Sequence, residues 1–135
     1  MNWEPLLAAA LAVRDHSHSP YSQFAVGAAV ETESGEIFSG ANVENRSYGV
    51  TLCAERSAFA AAVSAGHRRF GGVAIATASS PPAPPCGICR ETMTEFCEPE
   101  MPILLCNPQG ERRLTTLGEL FPEPFRFAAG ETSSA

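Results

Sequence analysis

Residues 53–78 read CAERSAFAAAVSAGHRRFGGVAIATA. The first half is crowded with Ala, the strongest helix former, which predicts a helix from Cys53 to Ala65 with Gly66 as its stop. Gly72 to Ala78 then reads as a buried strand. A helix feeding a buried strand is the signature of an α/β chain, and the flanks extend it. Upstream, Trp3, Leu6, Leu7, Ala10 and Leu11 recur at helical spacing and predict an amphipathic first helix, ended by the Pro20-containing stretch from His16 to Ser22. Phe24–Thr32 and Ile37–Ala41 follow as two strands around a Glu33-Ser34-Gly35 turn. Downstream, SSPPAPP (79–85) is too rich in Pro for regular structure, and CGICRETMTEF (86–96) begins another helix. Ile103–Cys106 and Arg112–Thr115 read as strands joined by an Asn107–Gly110 turn, with a short helix around Thr116–Phe121. The order αββαβαββα predicts a mixed sheet of about five strands with helices packed on its faces. One domain, 1–135, is expected, with a frayed tail from about residue 128.

The chain has 135 residues, 44% of them hydrophobic and 18% charged, which suits a folded soluble domain. At this length roughly 65–70% of the unfolded surface can be hidden, so disulfide staples are not needed. All nine basic residues are Arg, there is no Lys, and Asp15 is the only Asp. Without Lys there is no Schiff base and no P-loop lysine. Without paired Asp there is no Asp-rich calcium loop and no Asp dyad. The net charge of −6 argues against nucleic acid as a partner, because phosphate binding draws on Lys and Arg. No run of 18 apolar residues is present and the first residues lack a basic leader, so neither a membrane span nor secretion is expected. Five Cys in a cytoplasmic setting read as metal-binding or catalytic rather than bridged.

Two segments carry chemistry: Cys53-Ala54-Glu55 and Pro85-Cys86-Gly87-Ile88-Cys89. Each opens a predicted helix. Cys-x-x-Cys spans one turn, so both sulfurs can meet one ion, and helix N-termini favour thiolates. Three thiolates leave one tetrahedral position free, the arrangement of a catalytic zinc site. Glu55, two residues beyond Cys53, lies within reach of a water in that position. A Cys first ligand, a non-ligating Glu and a later Pro-Cys-x-x-Cys follow the zinc deaminase pattern.

With those residues in view, the sequence resembles the cytidine deaminase family from about Ser19 to Phe125. PYSQFAVGAAV, GANVENRSYG, TLCAERSAFAAAVSAG and PCGICRETMTEF match its motifs in order, and the Cys first ligand matches its small homotetrameric branch. The resemblance implies a three-layer fold with helices on both faces of the sheet. It also implies hydrolysis of cytidine and deoxycytidine to uridine or deoxyuridine and ammonia in pyrimidine salvage. One Zn²⁺ per chain is implied on Cys53, Cys86 and Cys89, with Glu55 as proton shuttle. Phe24 would contact the pyrimidine, Asn42 and Glu44 the ribose hydroxyls, and backbone groups around Ala54 and Pro85 the base's polar edge. Tyr48 and Phe125 would be lent to the site by a neighbouring subunit of a homotetramer. Three thiolates on Zn²⁺ sum to −1, and Arg56 and Arg90 are expected to offset that charge by hydrogen-bonding ligand sulfurs. Glu91 stands where the family usually has Gln, and Arg46 where a small residue is commoner.

Other readings stay open on the residues alone. The three Cys also read as ligands of a zinc that only holds the fold, Phe24 on propensity alone reads more often as core, and Asn42 and Glu44 as turn chemistry. Tyr48 and Phe125 read equally as packing residues. A deaminase of a cytosine-nucleoside antibiotic such as blasticidin S shares the zinc motifs. A non-catalytic zinc-stabilised nucleoside-binding module is the alternative of a different class.

Overall fold

The strand register explains why Phe24, Asn42 and Thr77 gather at one end of the sheet. The structure, a computed structural model, describes residues 1–126, so the expected frayed tail lies outside the described residues. Five strands, β1 (Gly27–Thr32), β2 (Ile37–Ala41), β3 (Phe70–Ala76), β4 (Pro102–Cys106) and β5 (Arg112–Thr116), lie in the order β2-β1-β3-β4-β5. β1 runs antiparallel to β2 and β3, β4 is parallel to β3, and β5 is antiparallel to β4. Gly27 pairs with both Ala41 and Ala76, so the start of β1 and the ends of β2 and β3 share one edge. Residues 24–26, 42–44 and 77 therefore project from that edge together.

Strand residues alternate between two apolar faces, as the pleat requires. Ala28, Val30, Val73, Ile75, Ile103 and Leu105 pack beneath α2 (Ala54–Ser64) and α3 (Gly87–Phe96). Ala29, Ala74, Ala76, Leu104 and Cys106 pack against Leu6, Leu7 and Ala10 of α1 (Glu4–Arg14). The result is the expected three layers, helix, mixed sheet, helices, closed by a short α4 (Leu117–Leu120). Gly35 and Gly66 take φ of +93° and +101°, the left-handed region their turn and helix-stop positions demand. Among the described residues no helix is long and apolar enough to cross a membrane.

α2 lies close on β2 because Gly40 has no side chain. A Cβ there would stand 2.5 Å from Ser57 Cβ and 2.6 Å from the Ala58 nitrogen. Gly40→Ala is expected to push α2 off the sheet and destabilise the protein by about 1–3 kcal/mol, the usual cost of overpacking. It should also loosen metal binding at Cys53. Urea unfolding together with metal content of the purified variant checks both effects.

The structure differs from the sequence expectation at several points, among them β3, which spans Phe70–Ala76 where Gly72–Ala78 was expected. β1 starts at Gly27, not Phe24. Gln23 adopts φ +58°, and the Asn42 side chain takes the Phe24 carbonyl and the Val26 N–H, leaving no ladder for residues 24–26. A 3-10 turn, Tyr48–Val50, has no counterpart in the sequence reading.

Candidate metal centre and cavity

α2 and α3 both begin at a cysteine. Cys53 caps α2 and Cys86 caps α3, each in extended backbone conformation and neither with a side-chain capping hydrogen bond. The unpaired N–H groups and positive dipole ends of two helices thus converge on one cluster of sulfurs. Cys53 Sγ lies 3.7 Å from Cys86 Sγ, and Cys86 Sγ lies 3.5 Å from Cys89 Sγ. All three sulfurs fall within 4.8 Å of one another. A disulfide would need about 2 Å. Tetrahedral zinc with bonds of about 2.3 Å sets its thiolates about 3.8 Å apart, so the spacing fits an ion and not a bridge. The donor set is soft and leaves a coordination position free.

The electrostatics follow from position. Cys89 is fully buried, and its hydrogen bond to Cys53 and its burial push its thiol upward. Cys53 is held down to about 5, first by the hydrogen bond from Cys89 and then by Arg56. The Arg56 guanidinium donates through Nη2 to the Thr51 carbonyl at 2.8 Å and to Cys53 Sγ at 3.8 Å. Glu55 is 5% exposed; burial, reinforced by the Cys53 charge, pushes its carboxyl up to about 7. The Cys89 thiol offsets part of that rise.

A cavity of about 300 Å³ opens in front of the sulfurs. Its walls include Cys53, Ala54, Glu55 and Cys86 at the helix ends, with Phe24, Asn42 and Glu44 from the sheet edge. Phe24 is 40% exposed and faces this space rather than the core. Asn42 Nδ2 donates to the Phe24 carbonyl at 2.9 Å, while its Oδ1 accepts from the Val26 N–H at 3.0 Å and from Ser17 Oγ. One amide hydrogen is left for a ligand. The Glu44 carboxylate accepts from the Tyr21 and Ser22 N–H groups at 2.9 and 3.1 Å and from the Ser22 hydroxyl, which keeps its carboxyl below the ordinary value. A donor and an acceptor thus stand side by side.

Tyr48, Phe125 and Arg90 depart from the places expected of them, and Pro85 does not line the cavity, whose wall there is Ala83 and Pro84. Tyr48 is 77% exposed and borders a neighbouring hollow with Tyr21 and Glu44. Phe125 is 74% exposed. Arg90, expected on a ligand sulfur, instead donates through Nε to the Pro85 carbonyl at 2.9 Å and through Nη1 to the Leu120 carbonyl at 2.5 Å. Both partners are backbone carbonyls, one on the loop before α3 and one at the end of α4. Sequence reasoning missed Ser22, which fixes Glu44, and Thr77, a buried hydroxyl on the cavity wall. The Pro-Tyr-Ser before Phe24 and the break after an apolar strand were the available signals.

Comparison with known proteins agrees with this geometry. The family model described as "Cytidine and deoxycytidylate deaminase zinc-binding region" matches residues 2–105. A cytidine deaminase of Sporosarcina psychrophila is 43% identical over 125 residues, 93% of this chain and 92% of the relative. The crystal structure of a cytidine deaminase from Burkholderia pseudomallei superposes with a TM-score of 0.88 at 43% identity, covering 93% of this chain and all of that one. A blasticidin-S deaminase of Bacillus cereus is 34% identical over 105 residues, 72% of this chain and 74% of the relative.

Proposed function

The chain belongs to the cytidine and deoxycytidylate deaminase family, and on that premise we propose that it hydrolyses cytidine and deoxycytidine to uridine or deoxyuridine and ammonia. The observation that carries the reading is Glu55, buried beside three sulfurs spaced for zinc, on the wall of a cavity of about 300 Å³. Zn²⁺ held by Cys53, Cys86 and Cys89 would supply a water whose pKa falls from 15.7 towards about 7 in favourable sites. The chain's own residues do the rest. Glu55 takes the proton of the attacking water, delivers it to ring nitrogen N3 and assists departure of the C4 amino group. Burial suits that work, because a carboxyl near 7 both accepts and releases protons at neutral pH. Phe24 packs on the pyrimidine, and the backbone around Ala54 and Pro85 reads its polar edge. A ribose hydroxyl accepts from the remaining Asn42 amide hydrogen and donates to Glu44.

Arg56 offsets the surplus charge of three thiolates, a role supported by its hydrogen bond to Cys53 Sγ. Arg56→Gln should lower kcat/KM on the order of tenfold and speed zinc loss, as outer-shell partners of metal ligands usually do. Initial rates and transfer of zinc to a chromogenic chelator measure the two effects, and an unaffected enzyme would remove Arg56 from this role.

The chain 1–135 acts as one cytoplasmic deaminase domain in pyrimidine salvage and assembles as a homotetramer, with Tyr48 and Phe125 lent across subunits. Support for assembly comes from apolar side chains left at the surface beside the cavity, Tyr21, Tyr48 and Val50 among them. Solution mass by light scattering tests it, and a stable active monomer would exclude shared sites.

The deciding experiment follows ammonia release from cytidine by purified zinc-loaded protein. Release supports the deaminase, and its absence a nucleoside-binding module. The match to a blasticidin-S deaminase keeps the antibiotic as a second substrate class. Preference for blasticidin S over cytidine in the same assay would overturn the nucleoside reading. The net charge of −6 weighs against polynucleotide substrates.

A further inference from the structure

The loop from Thr77 to Pro85 walls the cavity on one side through Thr77, Ala83 and Pro84, and it leads into Cys86. Its own hydrogen bonds are few: besides two to Thr77, Ser79 Oγ donates to the Pro81 carbonyl at 2.8 Å. Four of its residues, Pro81, Pro82, Pro84 and Pro85, have no N–H to donate. Of its remaining donors, the Ser79 and Ala83 N–H groups both go to Thr77 Oγ1, at 3.3 and 3.4 Å. Its outer side is gripped from elsewhere. Asn107, 2% exposed at the end of β4, donates through Nδ2 to the Ser79 carbonyl at 3.0 Å and to Glu111 Oε1 at 2.8 Å. Its Oδ1 accepts the Glu111 N–H at 3.0 Å. Ser80 Oγ closes the clasp by donating to the same Glu111 oxygen at 2.5 Å.

The β4–β5 turn does not need this reach. Backbone bonds from Asn107 to Glu111 and from Gly110 to Asn107 already close it, and Gly110 supplies the positive φ. A buried amide with all its groups satisfied, aimed 28 residues back along the chain, is doing something besides making a turn. The far end of the loop has a separate anchor, the Arg90 bond to the Pro85 carbonyl beside Cys86.

We propose that Asn107, with Glu111 and Ser80, is a positioning clasp that sets the Ala83–Pro84 wall of the nucleoside cavity while leaving the metal ligands to Arg90 and α3. The clasp acts on binding of the nucleoside and not on the proton transfer. This assignment rests on the cytidine reading for its substrate, but the clasp itself is read without one.

The test therefore has two readouts on the zinc-loaded protein. Amide hydrogen exchange should accelerate at least tenfold at Ser79 and Ala83 in Asn107→Ala, with residues 86–90 unchanged. The KM for cytidine should rise about tenfold, with kcat and zinc content within twofold of the unmodified protein. Ser80→Ala, a change at an exposed residue that removes one arm, should raise KM about threefold, and it decides the matter should Asn107→Ala fail to fold. Faster exchange with an unchanged KM would make the clasp purely structural and overturn the proposal, as would unchanged exchange. An unmodified protein inactive on cytidine would refute the substrate reading instead, while the exchange measurement still tests the clasp.

Discussion

Glu55→Gln should leave a folded, zinc-loaded protein that has lost 10²–10⁴-fold or more in kcat, the range a positioned general acid–base contributes. Gln fills the same volume and retains a hydrogen-bonding head, but it can neither take the proton of the attacking water nor pass one to N3. The loss should appear in kcat, with KM for cytidine changed far less, because Glu55 does its work as the barrier is crossed. The fold should not suffer. Glu55 is buried, and burial disfavours its charged form, so a neutral amide imposes no greater desolvation cost. Ammonia release, metal content and thermal unfolding of the same preparation separate the possibilities. Undiminished release would take the proton shuttle away from Glu55; lost release with lost zinc would make the residue a support for the metal.

Part of the sulfur cluster was legible from sequence because its geometry is local. Cys86 and Cys89 are one helical turn apart, and Cys53 precedes an Ala-rich run that could only be a helix. That the two helix starts meet was read from the zinc deaminase pattern, because Cys53 and Cys86 are 33 residues apart. Glu55 followed from its offset to Cys53. The helices on the sheet's faces were legible from the element order, but residues 28–30, 73–76 and 103–106 are apolar throughout, so which side chain faces which helix came only from the packing. Phe24 was harder. An aromatic before an apolar strand reads as strand, and only the Asn42 amide, 18 residues away, lifts it off the ladder. Arg90 was misplaced for a related reason. Adjacency to Cys89 suggested a sulfur, whereas the side chain reaches Leu120, 30 residues on. Asn107 looked like a turn residue, which it is. Its second set of bonds depends on the packing of β4 against β3, and no local pattern encodes that.

Cys89→Ser and Cys86→Ser should both abolish stable zinc binding and with it deamination, yet they should differ once the metal is stripped from every sample. Serine is a poor substitute for a soft thiolate, and two remaining sulfurs cannot hold zinc against a chelator. With zinc present, the unmodified protein gains stability by mass action and neither variant shares the gain. In chelator the comparison isolates packing. Cys86 is exposed, so its change should shift unfolding by no more than about 0.5 kcal/mol. Cys89 lies in the core with Met93 and Ala58, and a hydroxyl there needs a partner in place of a sulfur that behaves as a small hydrophobe. Cys89→Ser should therefore lose about 1–3 kcal/mol more than Cys86→Ser in metal-free urea unfolding. Equal metal-free stabilities would mean that Cys89 contributes to the fold only through zinc. Retained zinc in either variant would mean that two thiolates suffice, and the three-sulfur centre would have to be redrawn.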